Sequence, residues 1–179
     1  MHNPWELRVF MFMVIAIIAV AAWKGAERSA IAVNKTPPKE VVEISEFIQG
    51  RNKCLGPELA EVISLHAFEH ARKKGLPVGL VIGIVEKESK FNPFEISSEG
   101  AKGLMQVMII NADKAHGVEY NIDKGTDVLV DKLRITGGDL NAALVLYSGG
   151  AGGYVEGVLA NVGRYELYHR SKKGAKDDQ

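Results

Sequence analysis

The chain has 179 residues, with 22 basic and 22 acidic side chains, so its formal net charge is zero and its pI is about 7.0. Hydrophobic residues at 46% and charged residues at 25% are typical of a globular protein and argue against wholesale disorder. Because the charges balance, the composition provides no basic surface for phosphates, and no nucleic acid partner is expected. The single cysteine, Cys54, excludes an intrachain disulfide.

The first 33 residues are predicted to be a membrane anchor or a signal segment. Residues 9–23 are fifteen consecutive uncharged and mostly apolar residues, with Trp5 before them and Trp23 at their end. A helix of that length spans ~22 Å, which is short of the ~30 Å hydrocarbon core. Two alternatives therefore stay open: an uncleaved single-pass helix that contacts the membrane through residues 9–23, and a signal peptide cut near residues 19–22.

The remaining 146 residues are enough for one domain. Residues 34–40 contain paired prolines and are predicted to be a linker, residues 41–170 the folded domain, and residues 171–179 a polar tail. Hydrophobic periodicity predicts helices over residues 41–49, 57–74, 77–89, 103–116, 126–135, 140–148 and 154–169. Residues 91–100 are predicted to form a bent loop or a small hairpin. The expected fold class is mainly α, behind an N-terminal hydrophobic helix.

The second predicted helix contains a pattern known from zinc peptidases. His66, Glu69 and His70 match H-x-x-E-H, in which two histidines on one helix face share a metal ion and the glutamate acts as base. The alternative is that both histidines extend the apolar stripe of this helix and pack against the core or line a cleft. The sequence offers no evident third ligand, so neither a metal ion nor a cofactor is predicted.

The third predicted helix contains an unusually placed glutamate. One face of this helix is formed by Val81, Ile84, Val85 and Glu88. A carboxyl group that continues an apolar stripe at the C-terminal end of a helix is partly desolvated and meets the negative end of the helix dipole, and both effects raise its pKa. Such a group can be a general acid near neutral pH, although on spacing alone Glu88 could equally reach solvent. Glu86 lies about 160° away around the helix and cannot be its adjacent partner.

The segment from Glu88 to Met108 reads ESKFNPFEISSEGAKGLMQVM and resembles the catalytic core of the soluble lytic transglycosylase (SLT) domains of the goose-type lysozyme superfamily. The shared positions are Glu88-Ser89, Phe91-Asn92-Pro93, Ser97, Gly100-Ala101 and the Gly-Leu-Met-Gln block 103–106. Three later segments resemble the family in the same order: Asn121-Ile122 with Gly125, Ala143-Leu144 with Tyr147, and Tyr154-Val155. The chain departs from the family pattern at Ser148, where the family has Asn, and at Ile109, which displaces a Pro.

The resemblance implies a lysozyme-like helical domain in which Glu88 is the single acid/base. Glu88 would protonate the oxygen that links N-acetylmuramic acid (MurNAc) to N-acetylglucosamine (GlcNAc). It would then take the proton from the muramyl 6-hydroxyl, which closes on C1 and leaves a 1,6-anhydro end. Because the nucleophile belongs to the substrate, this reaction is an exception to the two-carboxylate scheme of glycoside hydrolysis.

The resemblance also implies five substrate-binding residues. Ser97 and Gln106 would donate or accept hydrogen bonds around the cleaved link, and Met105 would form an apolar wall. Tyr147 and Tyr154 would orient the carboxyl group or face a sugar ring. The alternatives are core packing for Met105 and Tyr147 and turn stabilisation for Ser97.

Two alternative functions of the same fold stay open. A muramidase would use water and would need a second carboxylate, for which the sequence offers Asp113, Glu119 and Asp123. A non-catalytic wall-binding or assembly protein would not need a raised-pKa acid. The expected partners are peptidoglycan glycan strands, the membrane, and a secretion apparatus, a conjugation machine or an infecting phage. The expected location is the bacterial inner membrane with the domain in the periplasm, or export after cleavage, or a virion.

Overall fold

A computed structural model of the protein describes residues 36–108 and 117–177. Over these residues the chain forms six α-helices: α1 Lys39–Arg51, α2 Pro57–Lys73, α3 Val78–Ser89, α4 Val118–Ile135, α5 Leu140–Tyr147 and α6 Tyr154–Asp177. The prediction of a mainly α fold is confirmed for this part of the chain. The predicted hydrophobic segment 1–33 lies outside the described residues, and none of the described helices is long and apolar enough to cross a membrane.

The predicted bounds of α2 and α3 are confirmed to within a residue because both helices have clear start and stop signals. Pro57 occupies the first turn of α2, where its missing N–H is not needed, and Gly75 follows the helix with a φ of 67°. Three other helices are longer than predicted. Helix α1 covers Lys39–Arg51 rather than residues 41–49, so the end of the predicted linker is helical. Helix α4 begins at Val118 rather than at residue 126, and α6 continues to Asp177 rather than ending at residue 169, so part of the predicted polar tail is helical.

The predicted helix over residues 103–116 is wrong for residues 103–108, and the rest of that range lies outside the described residues. Gly103 and Gln106 have φ values of 77° and 47°, in the left-handed region, which a right-handed helix does not allow. Lys102 instead forms antiparallel bridges with both Ile96 and Val107. Residues 91–108 are therefore a bent loop with minimal β pairing, as predicted for residues 91–100.

Helix α3 lies at the centre of the domain, since every residue from 79 to 86 is buried. It packs closely and antiparallel on α6: a side chain at Gly79 would meet Tyr165 and Glu166, and one at Gly83 would meet Val162. Helix α2 packs against α1, α3 and α4, and α4 packs against α5. The glycines on one face of α3 thus bring the backbone of α6 close to the central helix.

Gly83→Ala is expected to destabilise the domain by about 1–3 kcal/mol, because a Cβ at Gly83 lies 2.6 Å from Cγ2 of Val162 and 3.2 Å from the carbonyl oxygen of Val158. Urea unfolding measures the change. Gly163→Ala on α6 is the matched control, since a Cβ there meets nothing within 4 Å and should leave stability unchanged or raise it by up to ~1 kcal/mol. Equal effects of the two substitutions would contradict a tight α3–α6 contact.

Candidate active site

Glu88 lies in the last turn of α3, one residue before the helix ends. The chain turns away directly after it because Lys90 and Phe91 both adopt left-handed φ values, 51° and 65°, which are unfavourable for residues with a side chain. The Glu88 side chain is partly buried, and burial raises the pKa of its carboxyl group above the ordinary value. A hydrogen bond from Tyr154 and the charge of Lys87 oppose that rise.

Two tyrosines surround this carboxyl group. The Tyr154 hydroxyl donates a hydrogen bond to Oε1 of Glu88, and its ring stacks on that of Tyr147, with centroids 6.4 Å apart and planes at 21°. The Tyr147 hydroxyl donates to the backbone carbonyl oxygen of Met105 at 2.9 Å. Burial raises the pKa of both phenols far above its ordinary value, so both hydroxyls stay protonated and serve as hydrogen-bond donors.

The loop that follows α3 is fixed by two polar side chains from helices. Oδ1 of Asn121 on α4 accepts from the Met105 amide at 2.8 Å, and its Nδ2 donates to the Lys102 carbonyl, also at 2.8 Å. The Ser89 hydroxyl donates to the Leu104 carbonyl at 3.0 Å. Sequence reasoning noted Ser89 and Asn121 only as shared motif positions. Their roles depend on contacts between residues 15 to 19 positions apart, which no local pattern reveals.

One cleft brings together five of the six predicted site residues: Glu88, Ser97, Gln106, Tyr147 and Tyr154. Ser97 also stabilises a turn, because its hydroxyl accepts from the Glu99 and Ala101 amides at 3.2 Å. The Gln106 side-chain amide donates to the Gly103 carbonyl at 2.9 Å, which fixes the side chain at the edge of the cleft.

Met105 does not form the predicted apolar wall. Its side chain has no exposed surface and packs against Gly125 on α4, where any Cβ would collide with it. Met105 contributes to the site through its backbone, whose carbonyl accepts from Tyr147. The large aliphatic side chain among the described residues that line the cleft is Met108, which is 68% exposed.

The two glutamates of α3 have opposite surroundings. Nε of Arg51 donates to Oε1 of Glu86 at 2.6 Å, and a guanidinium nitrogen of Arg164 lies 3.6 Å from the same oxygen. Glu86 and both arginines line another pocket. This arrangement agrees with the predicted 160° separation, and it makes Glu86 a structural ion-pair partner rather than a partner of Glu88.

Two of the three carboxylates considered for a muramidase, Glu119 and Asp123, do not line the cleft of Glu88. Glu119 and Asp123 line a pocket of their own together with His70, and Asp113 lies outside the described residues. Among the described residues, the other carboxylate that lines the cleft is Glu99. It is exposed, and a hydrogen bond from the Ser98 hydroxyl at 2.7 Å lowers its pKa, so it stays charged. Sequence reasoning missed Glu99.

The comparisons with known proteins identify the family of the chain. A family model described as the transglycosylase SLT domain matches residues 66–166, a range that contains all six predicted site residues. A protein of Enterobacteria phage PRD1 named "Transglycosylase" is 41% identical over 76 residues, which are 40% of this chain and 28% of the phage protein. The chain therefore covers less than a third of the length of that relative. The six described helices are consistent with the lysozyme-like fold of the matched family.

Tyr154→Phe is expected to raise the pKa of Glu88 further, because it removes the hydrogen bond that stabilises the carboxylate. The titration can be followed by NMR of the glutamate side-chain carboxyl carbons. Tyr147→Phe is the matched control, since its hydroxyl bonds to Met105 and should leave the Glu88 titration nearly unchanged. An unchanged or lower Glu88 pKa in the Tyr154 variant would contradict the assigned role of this contact.

Proposed function

Because the chain belongs to the transglycosylase SLT domain family, we propose that it is a peptidoglycan lytic transglycosylase. It would cleave the MurNAc-β-1,4-GlcNAc bond and leave 1,6-anhydro-MurNAc ends. The observation that carries the proposal is Glu88, a partly buried carboxyl group in an open cleft whose pKa is raised by burial and which accepts a hydrogen bond from Tyr154. The transglycosylase of phage PRD1 supports the same activity.

The surroundings of Glu88 suit a group that first gives and then takes a proton. Burial favours the neutral carboxyl group, which can protonate the glycosidic oxygen. Once the proton has left, the Tyr154 hydroxyl and Lys87 stabilise the carboxylate, which can then accept the proton of the muramyl 6-hydroxyl. Burial thus favours the acid form of Glu88, whereas Tyr154 and Lys87 favour its base form. One carboxyl group is sufficient because the 6-hydroxyl of the sugar is the nucleophile.

The other cleft residues would bind and orient the glycan strand. Gln106 and Ser97 belong to the loop after α3 and line the cleft with polar side chains. Met108 offers an exposed apolar surface to a sugar ring. Tyr147 fixes Tyr154 by stacking and is itself fixed by the Met105 carbonyl. Met105 would therefore affect the site by fixing the position of Tyr147, and not by contact with the substrate.

A muramidase remains the second candidate, and Glu99 is the observation that favours it. This charged carboxylate lines the cleft and could position a water molecule in place of the muramyl 6-hydroxyl. The products distinguish the two reactions, because hydrolysis leaves reducing ends whereas transglycosylation leaves anhydro ends that are lighter by one water.

Glu88→Gln is expected to lower peptidoglycan cleavage by about 10²-fold to 10⁴-fold or more, because it removes the acid/base. Digestion of purified peptidoglycan, followed by mass spectrometry of the muropeptides, should give anhydro ends with the unaltered chain. Glu99→Gln, the same substitution in the same cleft, should leave these products in place. Reducing ends that disappear in the Glu99 variant would instead identify a muramidase, and a folded chain that binds but never cleaves would identify a wall-binding protein.

We further propose that residues 9–23 anchor the chain in the bacterial inner membrane, with the domain facing the periplasm. The uncharged run and its tryptophans support the anchor. A tethered enzyme suits local opening of the wall for a secretion apparatus, a conjugation machine or an infecting phage. The phage origin of the similar transglycosylase favours the last of these.

The anchor predicts that the full-length chain stays in the membrane fraction after alkaline carbonate extraction. Intact mass spectrometry of the extracted protein should show a chain that retains residues 9–23. A soluble periplasmic chain that starts near residues 20–23 would contradict the anchor and would identify a cleaved signal peptide.

A further inference from the structure

Helices α2 and α4 bring together three side chains that the proposed cleavage does not use. His66 and His70 lie four residues apart on one face of α2, and Glu119 lies in the first turn of α4. One potential ligand atom from each residue lies within 4.8 Å of the other two. We propose that these three side chains form a binding site for a divalent transition-metal ion of the Zn²⁺ type. This inference does not rest on the proposed function.

The donor set is the one that Zn²⁺ prefers. Two imidazoles and a carboxylate are common zinc ligands, whereas Mg²⁺ and Ca²⁺ favour sites made of oxygen atoms alone. Tetrahedral coordination at zinc bond lengths requires donor atoms roughly 3.3 Å apart. The three ligand atoms lie within 4.8 Å of one another, so an ion would draw them about 1.5 Å closer, and Glu119 is the exposed member of the set.

The two histidines have buried ring nitrogens that could bind a ligand. The Nδ1 atoms of His66 and His70 are buried, and neither makes a hydrogen bond within the part of the chain that the structure describes. Buried polar atoms of this kind cost free energy that a bound ligand recovers. The packing of the α2 apolar stripe does not account for two neighbouring histidines whose buried Nδ1 atoms both lack a hydrogen bond within the described residues.

A carboxylate lies next to one of the two histidines. Oδ1 of Asp123 lies 3.1 Å from Nδ1 of His70, although without hydrogen-bond geometry, and its negative charge favours a bound cation. Oε2 of Glu69 lies 3.9 Å from Nδ1 of His66, beyond hydrogen-bond distance, on an exposed side chain. The nearby cation Lys74 is neutralised, since its Nζ lies 2.9 Å from Asp123 and 2.7 Å from Asp127. Lys73 also faces this pocket.

The ion would connect α2 to the start of α4. Helix α4 carries the side chain that holds the cleft loop in place. Glu119 precedes Asn121 by two residues, and Asn121 bonds to the Met105 amide and the Lys102 carbonyl. The proposed role is therefore stabilisation of the α2–α4 contact and of the loop attached to it. In the H-x-x-E-H pattern Glu69 would be the functional glutamate, whereas the structure brings Glu119 to the two histidines.

The test compares two glutamates in the full chain after removal of metal ions with a chelator. Isothermal titration with ZnCl₂ should show binding at one ion per chain, and a free Zn²⁺ concentration about a hundredfold above Kd should raise Tm by roughly 5–10 °C. Glu119→Gln should weaken Zn²⁺ binding by at least about tenfold. Glu69→Gln, the matched control, should bind Zn²⁺ as the unaltered chain does, and MgCl₂ should not change Tm.

Equal Zn²⁺ affinity in the Glu119→Gln variant and the unaltered chain would overturn the proposal, as would a loss confined to Glu69→Gln. Both substitutions affect exposed side chains, so failure to fold does not confuse the result. The readouts are metal affinity and Tm, and they are independent of peptidoglycan cleavage. A negative result for the metal site would therefore not contradict the proposed transglycosylase activity, and an absence of cleavage would not contradict the metal site.

Discussion

The close antiparallel contact between α3 and α6 determines the geometry of the cleft. Gly79 faces Tyr165, Gly83 faces Val162, and Lys87 lies against Gly157, so the two helices have a fixed register along their whole contact. Continuing that register by one residue on α3 brings Glu88 to Tyr154, where α6 begins. The hydrogen bond between them is therefore a consequence of backbone packing about two helical turns away. This explains why glycine, the poorest helix former after proline, occurs twice within a buried helix.

The surroundings of the two α3 glutamates show how one helix can carry an ion-pair partner and an acid. Glu86 is buried beside the guanidinium groups of Arg51 and Arg164 and forms ion pairs with both. Glu88 is partly buried beside a neutral phenol, so desolvation is the larger effect on its pKa. The helix places the two carboxyl groups on different faces, and the neighbouring elements then supply opposite electrostatics.

Much of this arrangement could be predicted from the sequence because it follows from local patterns. The apolar stripe of α3, the start of α2 at Pro57 and the grouping of Glu88 with the tyrosines depend on periodicity, proline geometry and motif order. The loop at residues 103–108 could not be predicted, because its apolar residues have a spacing that is also typical of a helix. Its left-handed residues Gly103 and Gln106 are stabilised by hydrogen bonds that include those from Asn121 on a distant helix. Met105 was misplaced for the same reason.

Helix α4 connects the catalytic cleft with the cluster of His66, His70 and Glu119. Asn121 satisfies the backbone of the cleft loop, and Gly125, one turn later, leaves the space that Met105 fills. Glu119 and Asp123 lie in the same stretch of helix and face α2 instead. Alternate residues of one short segment thus position the loop on one side and contact the histidines on the other. Any interaction that fixes this segment against α2 also limits the movement of Met105, and through the Tyr147 hydrogen bond it limits the movement of the tyrosines that surround Glu88.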